Sequence, residues 1–457
     1  MLELNRMRAV EKMRRAQVNP TAIAIFERYW DELAGGATGM IPEATIEPLA
    51  APDTLGEPSS SGDRAALAAT VMIKLNGGLG TSMGLNKAKT LLTAKDGLTF
   101  LDIIVRQTLW ARQHYDVRLP LIFLHSFATQ ADVLAALEAY PELAVAGIGL
   151  DMLQSEEPKL QVDDLSPVAW PANPNLEWCP PGHGDLYPTL LDSRMLDTLI
   201  DQGFLYACVS NGDNLGAAPS AELATWFAST KAPFATEVTL RTPMDLKGGH
   251  LAIRKADRRL ILRESAQTPP EEMKFFTDPA IHPYAHCNTL WFDLVAVRET
   301  LIRTGGVLGL PLIRNAKTVD PRDPTSPAVY QIETAMGAAI EAFEGARAIV
   351  VPRGRFLPVK TTNELTLLRS DVFDLGADYI PRATVSPLPV VMLDKTYATI
   401  DALERRLPHP LGLREAQTLT VNGDWHFAED IRIIGDVTLS EPGGYLPPST
   451  TLQADPA

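Results

Sequence analysis

The stretch KLNGGLGTSMGLNKAKTLL, residues 74–92, follows directly on the apolar run LAATVMI, residues 67–73, and contains four glycines and three lysines. The apolar run predicts a buried strand, and the glycines predict a loop at its carboxyl end. Adjacent glycines allow positive φ angles and close backbone approach, so successive N–H groups can face phosphate oxygens. Lys89, five residues past the last glycine, would add positive charge. The loop alone is also compatible with a glycine-rich turn and solvated lysines.

The two best-known phosphate loops do not fit this stretch. A P-loop needs Lys directly after its last glycine, whereas Leu85 follows Gly84 here. A dinucleotide-binding loop reads GxGxxG, but after Gly78 and Gly80 the next glycine comes one place late. If the loop binds phosphate, it therefore belongs to neither of these classes.

Strand and helix patterns alternate from residue 66 to about residue 300. The helix pattern at 99–115 opens with a capping box of Thr99 and Asp102. Such alternation predicts a parallel sheet with helices on both faces. HLAIRKADRRLILRES, residues 250–265, predicts a hairpin added in the antiparallel direction, and a further strand–helix pair follows at 288–305.

The two ends of the chain differ from this middle part. Residues 3–34 read as two helices, and residues 35–63 are rich in Pro, Gly and Ser, which is typical of a linker or an extended connection packed over a neighbour. Near the C-terminus GDWHF, 423–427, is followed twelve residues later by GDVTL, 435–439, which suggests a small β-solenoid. We expect an N-terminal segment 1–65, a catalytic domain 66–380 and a C-terminal domain 381–457.

Composition restricts the kinds of partner and the cellular location expected for this protein. The 41 basic and 56 acidic residues give a net charge of −15, which argues against nucleic acid and against an anionic membrane surface. The chain has no signal-peptide pattern at its start and no apolar run long enough for a membrane span. Cys179, Cys208 and Cys287 form no disulfide or zinc spacing. These features predict a reduced, cytoplasmic protein.

Several further blocks, in a fixed order, extend the glycine loop into a family resemblance. The chain resembles the UTP–glucose-1-phosphate uridylyltransferase family, in its eukaryotic-type branch, whose members carry a closely similar LNGGLGTSMG followed by a lysine. The other blocks are PPGHGD at 180–185, VSNGDNLG at 209–216, KGG at 247–249, NTLWF at 288–292, NAKTVD at 315–320, QIETAMGAAI at 331–340 and FLPVKTT at 356–362.

The resemblance implies an α/β fold with a Rossmann-like, mixed-sheet nucleotidyltransferase domain of the GT-A-like type. A small helical segment would precede it and a left-handed β-helix would follow, through which a homo-oligomer could assemble. The implied reaction is attack of the phosphate of glucose 1-phosphate on the α-phosphorus of UTP, which yields UDP-glucose and pyrophosphate with Mg²⁺ as cofactor. Because the nucleophile is already an anion, the site needs phosphate-facing N–H groups, lysines and a metal ligand rather than a side-chain base.

Matching positions assign the nucleotide side of the site. Leu75, Asn76, Gly77 and Gly78 match the positions that hold the uracil and the nucleotide backbone, and residues 80–84 with Lys89 match the triphosphate-facing part. Gln154 matches the residue that reads uracil, and Gly182 matches a uridine contact. Exposed amides at strand ends are also common without such a role. Lys360 matches the second lysine of the family, which neutralises phosphate oxygens during transfer.

The metal and sugar side follows in the same way. Asp213 comes after the predicted strand FLYACVS, and a carboxylate at the carboxyl end of a parallel strand faces the ligand crevice. It matches the Mg²⁺ ligand, although an Asx-turn would also explain it. His183 and Asn211 match contacts to the sugar phosphate. Gly249, Glu264 and Asn288 resemble contacts to the sugar hydroxyls.

The chain departs from the family pattern at two places and leaves some features unassigned. Asn86 replaces a family lysine while Lys87 comes one place later, and Gly212 replaces a larger residue, which would loosen the turn before Asp213. His282 and His286 are four residues apart, but no third ligand has suitable spacing, so we interpret both as structural.

Two other functions fit part of the pattern. A UDP-N-acetylhexosamine or broad-specificity pyrophosphorylase usually has an Arg-Leu-Gly version of the loop, where this chain has Ser82-Met83-Gly84. A sugar-nucleotide-binding scaffold would be expected to lose Asp213 or one of the two lysines.

Overall fold

The computed structural model describes residues 1–55, 64–80, 83–85, 87–242, 245, 248–321 and 323–453. Thr81, Ser82, Asn86, Lys247 and the part of the predicted linker at 56–63 lie outside the described residues. The α-helices are α1 Leu2–Arg15, α2 Pro20–Ala34, α3 Arg64–Ala68, α4 Phe100–Tyr115, α5 Gln130–Leu137, α6 Leu186–Asp192, α7 Met195–Asp201, α8 Ala221–Thr230, α9 Met273–Phe276, α10 Leu294–Arg303, α11 Thr362–Arg369 and α12 Ile400–Arg406.

An eight-stranded sheet forms the centre of the described structure. Its strands run in the spatial order β1-β8-β6-β7-β5-β2-β3-β4. Their bounds are β1 Asp53–Thr54, β2 Thr70–Asn76, β3 Leu121–His125, β4 Asp151–Leu153, β5 Tyr206–Asn211, β6 Phe234–Leu240, β7 Tyr284–Asp293 and β8 Arg347–Val350.

Both faces of this sheet are covered, as the alternation of strands and helices predicted. In β2, Val71 and Ile73 pack on the face covered by α6, α7 and α10, while Met72 packs on the face covered by α4 and α8. Successive side chains of a strand point to opposite faces, so a strand buried on both sides is apolar throughout. The capping box of Thr99 and Asp102 is present at the start of α4.

The prediction of a parallel sheet is wrong for one central strand. β7 lies between β5 and β6 and is antiparallel to both, whereas β5, β2, β3 and β4 are mutually parallel. The sequence predicted β7 as part of one more strand–helix unit, because a buried antiparallel strand has the same apolar composition as a parallel one. The sheet is therefore mixed.

The predicted hairpin at 250–265 forms outside the central sheet. His250–Arg254 and Leu260–Arg263 are antiparallel, and Ile46–Pro48 adds a third strand to them. This strand and β1 both come from the predicted linker, whose described part is thus an extended connection packed over its neighbours. Edge strands of two or three residues are held by backbone hydrogen bonds and need no apolar pattern in the sequence.

Short strands complete the part of the chain before residue 384. Ile313–Thr318 and Ala328–Glu333 form an antiparallel pair that also carries Leu160–Gln161. The remaining strands are Thr93–Lys95, Leu98–Thr99, Glu157–Pro158, Trp178–Cys179, Phe373–Leu375 and Pro381–Ala383.

The C-terminal strands form parallel ladders, as expected for a solenoid. The ladder β9-β10-β12-β14 and the separate pair β11-β13 are both parallel. Their bounds are β9 Val390–Leu393, β10 Gly412–Val421, β11 Asp424–Phe427, β12 Arg432–Leu439, β13 Gly443–Leu446 and β14 Thr451–Gln453.

The twelve-residue repeat does not match the spacing of paired residues in these ladders. Asp424 in GDWHF pairs with Gly443, 19 residues later, and Thr418 pairs with Asp436 in GDVTL, 18 residues later. The two similar segments therefore lie on different ladders. Gly423 directly precedes β11, whereas Gly435 lies within β12, and the two glycines share a positive φ angle.

The described residues contain no helix that is both long and apolar enough to cross a membrane. The three cysteines are buried and unpaired.

Candidate active site

A cleft of about 560 Å³ opens beyond the carboxyl ends of the parallel strands β2, β3, β4 and β5. Loops that follow such strands meet at one edge of the sheet, which is where open α/β sheets bind ligands. The residues assigned individual roles from the sequence line this cleft, namely Leu75, Asn76, Gly77, Gly78, Lys89, Gln154, Gly182, His183, Asn211, Asp213, Gly249, Glu264, Asn288 and Lys360. Of the stretch 80–84 predicted to face the triphosphate, the described residues Gly80, Met83 and Gly84 do not line the cleft, and Met83 is buried in the hydrophobic core.

Two lysines from distant parts of the chain meet on Asp213. Lys89 Nζ lies 2.7 Å and Lys360 Nζ 3.1 Å from the same oxygen, Asp213 Oδ2. Burial would raise the pKa of this carboxyl, but Lys360 and Lys89 outweigh burial and hold the pKa at about 2. Asp213 is thus ionised at every physiological pH.

The second oxygen of this carboxylate differs from the first. Asp213 Oδ1 is buried and has no hydrogen-bond partner among the described residues. An ionised oxygen without a partner is costly unless a ligand or ion satisfies it. The charge of Asp213 and this free oxygen fit a hard cation such as Mg²⁺, which proteins often bind through one or two carboxylates together with substrate phosphates.

Lys89 connects the glycine loop to the segment that carries Lys360. The Lys89 N–H donates to Gly78 O at 3.3 Å, and Lys89 Nζ donates to Val359 O, one residue before Lys360. The loop also uses positive φ angles at Gly80 (63°) and Gly84 (72°), which L-residues with side chains rarely adopt. The loop predicted from the sequence and the Lys360 segment therefore close on each other.

The residues predicted to bind uracil occupy neighbouring strand ends. Gln154 Nε2 donates to Gly182 O at 3.0 Å, and its Oε1 would lie 2.5 Å from a Cβ placed on Gly77. Gly77 therefore leaves room for the amide of Gln154. The Asn76 side chain is already engaged, since it accepts from Thr90 Oγ1 at 2.8 Å and lies 3.3 Å from His125 Nδ1.

His183 is fixed in one tautomer. Its Nδ1 accepts a hydrogen bond from the Met336 N–H at 2.9 Å, so the proton of the neutral ring is on Nε2. Burial and, to a smaller extent, the charge of Lys360 together lower the pKa of His183 to about 4. His183 consequently acts as a neutral hydrogen-bond donor.

The sugar-side residues form two contacts. Asn288 adopts a positive φ of 51° within β7 and donates from Nδ2 to Asn211 Oδ1 at 2.9 Å, which leaves its buried Oδ1 without a partner in the described structure. Gly249 lies against Glu264, because a Cβ at position 249 would be 2.7 Å from Glu264 Oε2. Burial raises the pKa of Glu264 to about 7, and Lys360 opposes that shift.

The predicted loosening of the turn at Gly212 is not observed. Its N–H donates to Leu75 O at 2.9 Å, and an added Cβ would lie 2.8 Å from Thr90 Cγ2 and 2.9 Å from Leu75 O. Glycine here allows the ends of β2 and β5 to approach closely. Lys87 is exposed and does not line the cleft.

The two histidines interpreted as structural lie in different surroundings. His282 Nε2 lies 3.0 Å from Glu43 Oε1, and its ring stacks on His250 at 3.8 Å. His286 Nε2 lies 2.8 Å from Thr236 Oγ1, and His286 also lines the cleft. The described residues hold no cluster of three or more His, Cys, Asp or Glu that could bind a metal.

Sequence reasoning assigned no role to several other cleft residues. Most of them belong to blocks that carried the family resemblance, and a position inside such a block was the available signal. The ones that lie in these blocks are Pro180, Gly248, Asn315, Glu333, Ala335, Phe356 and Pro358. Thr90, Leu124, Ser265, Ala266 and Ile313 also line the cleft.

Comparison with known proteins identifies the family. The sequence profile described as UTP–glucose-1-phosphate uridylyltransferase matches residues 25–433. This chain belongs to the UTP–glucose-1-phosphate uridylyltransferase family. Among curated family members, the Saccharomyces cerevisiae UTP–glucose-1-phosphate uridylyltransferase is 37% identical over 376 residues, which is 82% of this chain and 74% of the relative. The Hordeum vulgare enzyme of the same name is 34% identical over 448 residues, 95% of this chain and 92% of that one.

Solved structures of the family superpose on this structure over almost the whole length of the chain. A variant of the Leishmania major UDP-glucose pyrophosphorylase, in complex with UDP-glucose, has a TM-score of 0.93 at 40% identity and covers 99% of this chain and 98% of its own. The Trypanosoma brucei UDP-glucose phosphorylase has a TM-score of 0.91 at 37% identity, and the match covers 98% of this chain and 99% of that one. The family resemblance drawn from the sequence is therefore confirmed.

Proposed function

We infer that this protein converts UTP and glucose 1-phosphate into UDP-glucose and pyrophosphate. Family membership sets the class of reaction. The observation that carries the proposal for this chain is the meeting of Lys89, Asp213 and Lys360 in one cleft, since these groups supply the charge that nucleotidyl transfer requires.

Transfer of the uridylyl group would need alignment and charge neutralisation. The phosphate of glucose 1-phosphate attacks the α-phosphorus, the bond to the β-phosphate oxygen breaks, and pyrophosphate leaves. Lys89 and Lys360 would release Asp213 when the substrate phosphates arrive and would then neutralise the phosphate oxygens. A compact ammonium on a flexible stem can follow charge as it moves between phosphates.

Asp213 is the residue that would hold Mg²⁺, through its unpartnered Oδ1. When bound, the ion would offset negative charge on the phosphate oxygens. The two lysines on Oδ2 keep this carboxylate ionised, so the residue is ready to accept a cation at neutral pH.

The remaining cleft residues divide between nucleotide and sugar. Leu75, Gly77, Gly78 and the backbone of Asn76 would hold the uracil and the nucleotide backbone. Gln154 would form hydrogen bonds with the uracil base, and the carbonyl oxygen of Gly182 would hold its amide in place.

On the sugar side, His183 would donate from Nε2 to a phosphate or hydroxyl oxygen. Asn211 and Asn288 would use their amides, and Glu264, given its place by Gly249, would accept from sugar hydroxyls.

The test is pyrophosphate release with Mg²⁺ and UTP, offered glucose, galactose and N-acetylglucosamine 1-phosphates in turn. Release with the glucose ester alone is expected. Comparable rates with several sugars would instead indicate a broad-specificity pyrophosphorylase. UTP binding without release from any sugar would indicate a binding scaffold and would overturn the proposal.

We further propose three features of organisation. The parallel C-terminal ladders support a left-handed β-helix at 381–457, behind a catalytic domain at 66–380 and an N-terminal segment at 1–65. Among the described residues, β14 has no partner strand on its outer side, which supports a homo-oligomer formed through the β-helix. Light scattering of the purified protein would test this. The composition and the three unpaired cysteines support a cytoplasmic location.

A further inference from the structure

Lys360 has little contact of its own to fix it opposite Asp213. Its side chain is 59% exposed, and Asp213 is its one ion-pair partner among the described residues. It is the last residue of a segment, 351–360, that lacks helix or strand except for the short 3₁₀ turn Arg353–Arg355. Other residues must therefore hold this segment in place if Lys360 is to contact the substrate in one defined position.

Asn214, next to Asp213, is joined to that segment by three interactions. Its Oδ1 accepts from the Leu357 N–H at 2.9 Å, and its Nδ2 donates to Arg355 O at 3.1 Å. Its backbone forms an isolated bridge with Pro358. Asn214 is 1% exposed and does not line the cleft, so it touches the segment and not the ligand space.

A buried ion pair anchors the same segment from the other side. The Arg355 guanidinium donates to both oxygens of Glu237, at 2.8 and 2.9 Å, and also to Ala218 O at 3.1 Å. Glu237 is fully buried in β6 and accepts from Trp291 Nε1 at 3.0 Å. Planar bidentate pairs of this kind restrict orientation as well as distance.

The two loops also meet at the backbone. A Cβ on Gly216 would lie 2.3 Å from Gly354 O, so any side chain there would separate them. The Asp213 loop and the Lys360 segment are thus held as one unit by groups behind the cleft.

We propose that Asn214 is a positioning residue, which together with the Arg355–Glu237 pair sets the placement of Lys360 relative to Asp213. The proposal rests on the proposed uridylyltransferase activity. A displacement of about 1 Å in such a group costs catalysis far more than it costs binding.

The experiment is a double-mutant cycle of Asn214→Ala with Lys360→Ala, followed by pyrophosphate release. If Asn214 acts through Lys360, Asn214→Ala lowers kcat by roughly 10- to 100-fold in the wild-type background, with KM for UTP nearly unchanged. In the Lys360→Ala background it then has little further effect. Equal loss in both backgrounds would overturn the proposal.

Asn5→Ala is the matched control, because Asn5 is also 1% exposed and donates from its side chain to a backbone carbonyl, Asp164 O at 2.9 Å, in another part of the molecule. It is expected to lower thermal stability without coupling to Lys360. If Asn214→Ala does not fold, Glu237→Gln replaces it, since it keeps the size of the side chain and weakens the bidentate pair.

A second readout does not require activity. The rate at which an amine-acylating reagent labels Lys360, measured by peptide mass spectrometry against exposed Lys87, should rise in Asn214→Ala as Lys360 leaves Asp213. Unchanged labelling would contradict the proposal. A wild-type protein that releases no pyrophosphate would refute the proposed function, and the labelling result would still decide the role of Asn214.

Discussion

Lys89 and Asp213 form an ion pair 2.7 Å long between Nζ and Oδ2, although 124 residues separate them in the chain. Lys360 shares the same oxygen. A buried carboxylate that faces two cations on one oxygen has its other oxygen available to a ligand. This asymmetry distinguishes Asp213 from an aspartate that merely caps a turn.

Asp213→Asn is expected to lower kcat by at least about 100-fold, the usual cost of losing one group that stabilises transition-state charge. The amide keeps the size of the side chain but can neither neutralise the lysines nor bind a cation strongly. Pyrophosphate release and UTP binding by calorimetry measure the two effects separately. Wild-type turnover in this variant would show that Asp213 holds only the turn.

Glu264→Gln is expected to stabilise the protein at pH 8 and to leave its stability nearly unchanged at pH 5. Burial raises the pKa of Glu264 from 4.5 to about 7, against the opposing effect of Lys360. Between these values the folded state holds a proton that the unfolded chain has released, so the wild type loses stability as the pH rises through this window. The variant has no such proton to lose.

Thermal melting of the wild type and Glu264→Gln from pH 5 to pH 8 measures this difference. A constant difference across the range would show that the Glu264 carboxyl titrates normally. Because many groups titrate in both proteins, the difference between the two curves is the informative quantity.

Gly249→Ala is expected to raise KM for glucose 1-phosphate several-fold and to leave KM for UTP nearly unchanged. The new methyl group would lie 2.7 Å from Glu264 Oε2 and 3.1 Å from Arg263 O, so Glu264 must move. Gly248→Ala is the comparison, since its Cβ would meet no atom closer than Asp245 O at 4.0 Å. Equal effects of the two substitutions on KM would show that the contact with Glu264 is unimportant.

Gly212→Ala is expected to destabilise the protein by about 1–3 kcal/mol, the usual cost of overpacking. Its Cβ would lie 2.8 Å from Thr90 Cγ2 and 2.9 Å from Leu75 O. Thr90→Ser removes the methyl group while keeping the hydroxyl that donates to Asn76 Oδ1. It should therefore recover part of the loss, and the contact with the Leu75 carbonyl should keep the rest.

Chemical denaturation of the two single variants and the double variant measures this coupling. Additive effects would mean that the backbone carbonyl, and not the Thr90 methyl group, limits the side chain at position 212.

Local sequence patterns predicted most of the helices and strands well. They failed where the result depends on which strands pair with one another and in which direction. The capping box of α4, the strand β2 and the buried helices followed from periodicity, which acts over a few residues. The direction of β7 did not, because a buried strand has the same apolar composition whichever way its neighbours run. The spacing of 18 and 19 residues between Thr418 and Asp436 and between Asp424 and Gly443 was hidden by the twelve-residue likeness of GDWHF and GDVTL.

The sequence by itself determined the family and picked out residues that line the cleft, because both are carried by short blocks whose residue types are chemically specific. Only the tertiary structure decided how those residues act on one another. The pairing of Lys89 and Lys360 on one oxygen of Asp213, the tautomer of His183 and the pKa of Glu264 depend on distances between segments far apart in the chain. Burial and charge at such contacts arise from folding, so no local pattern encodes them.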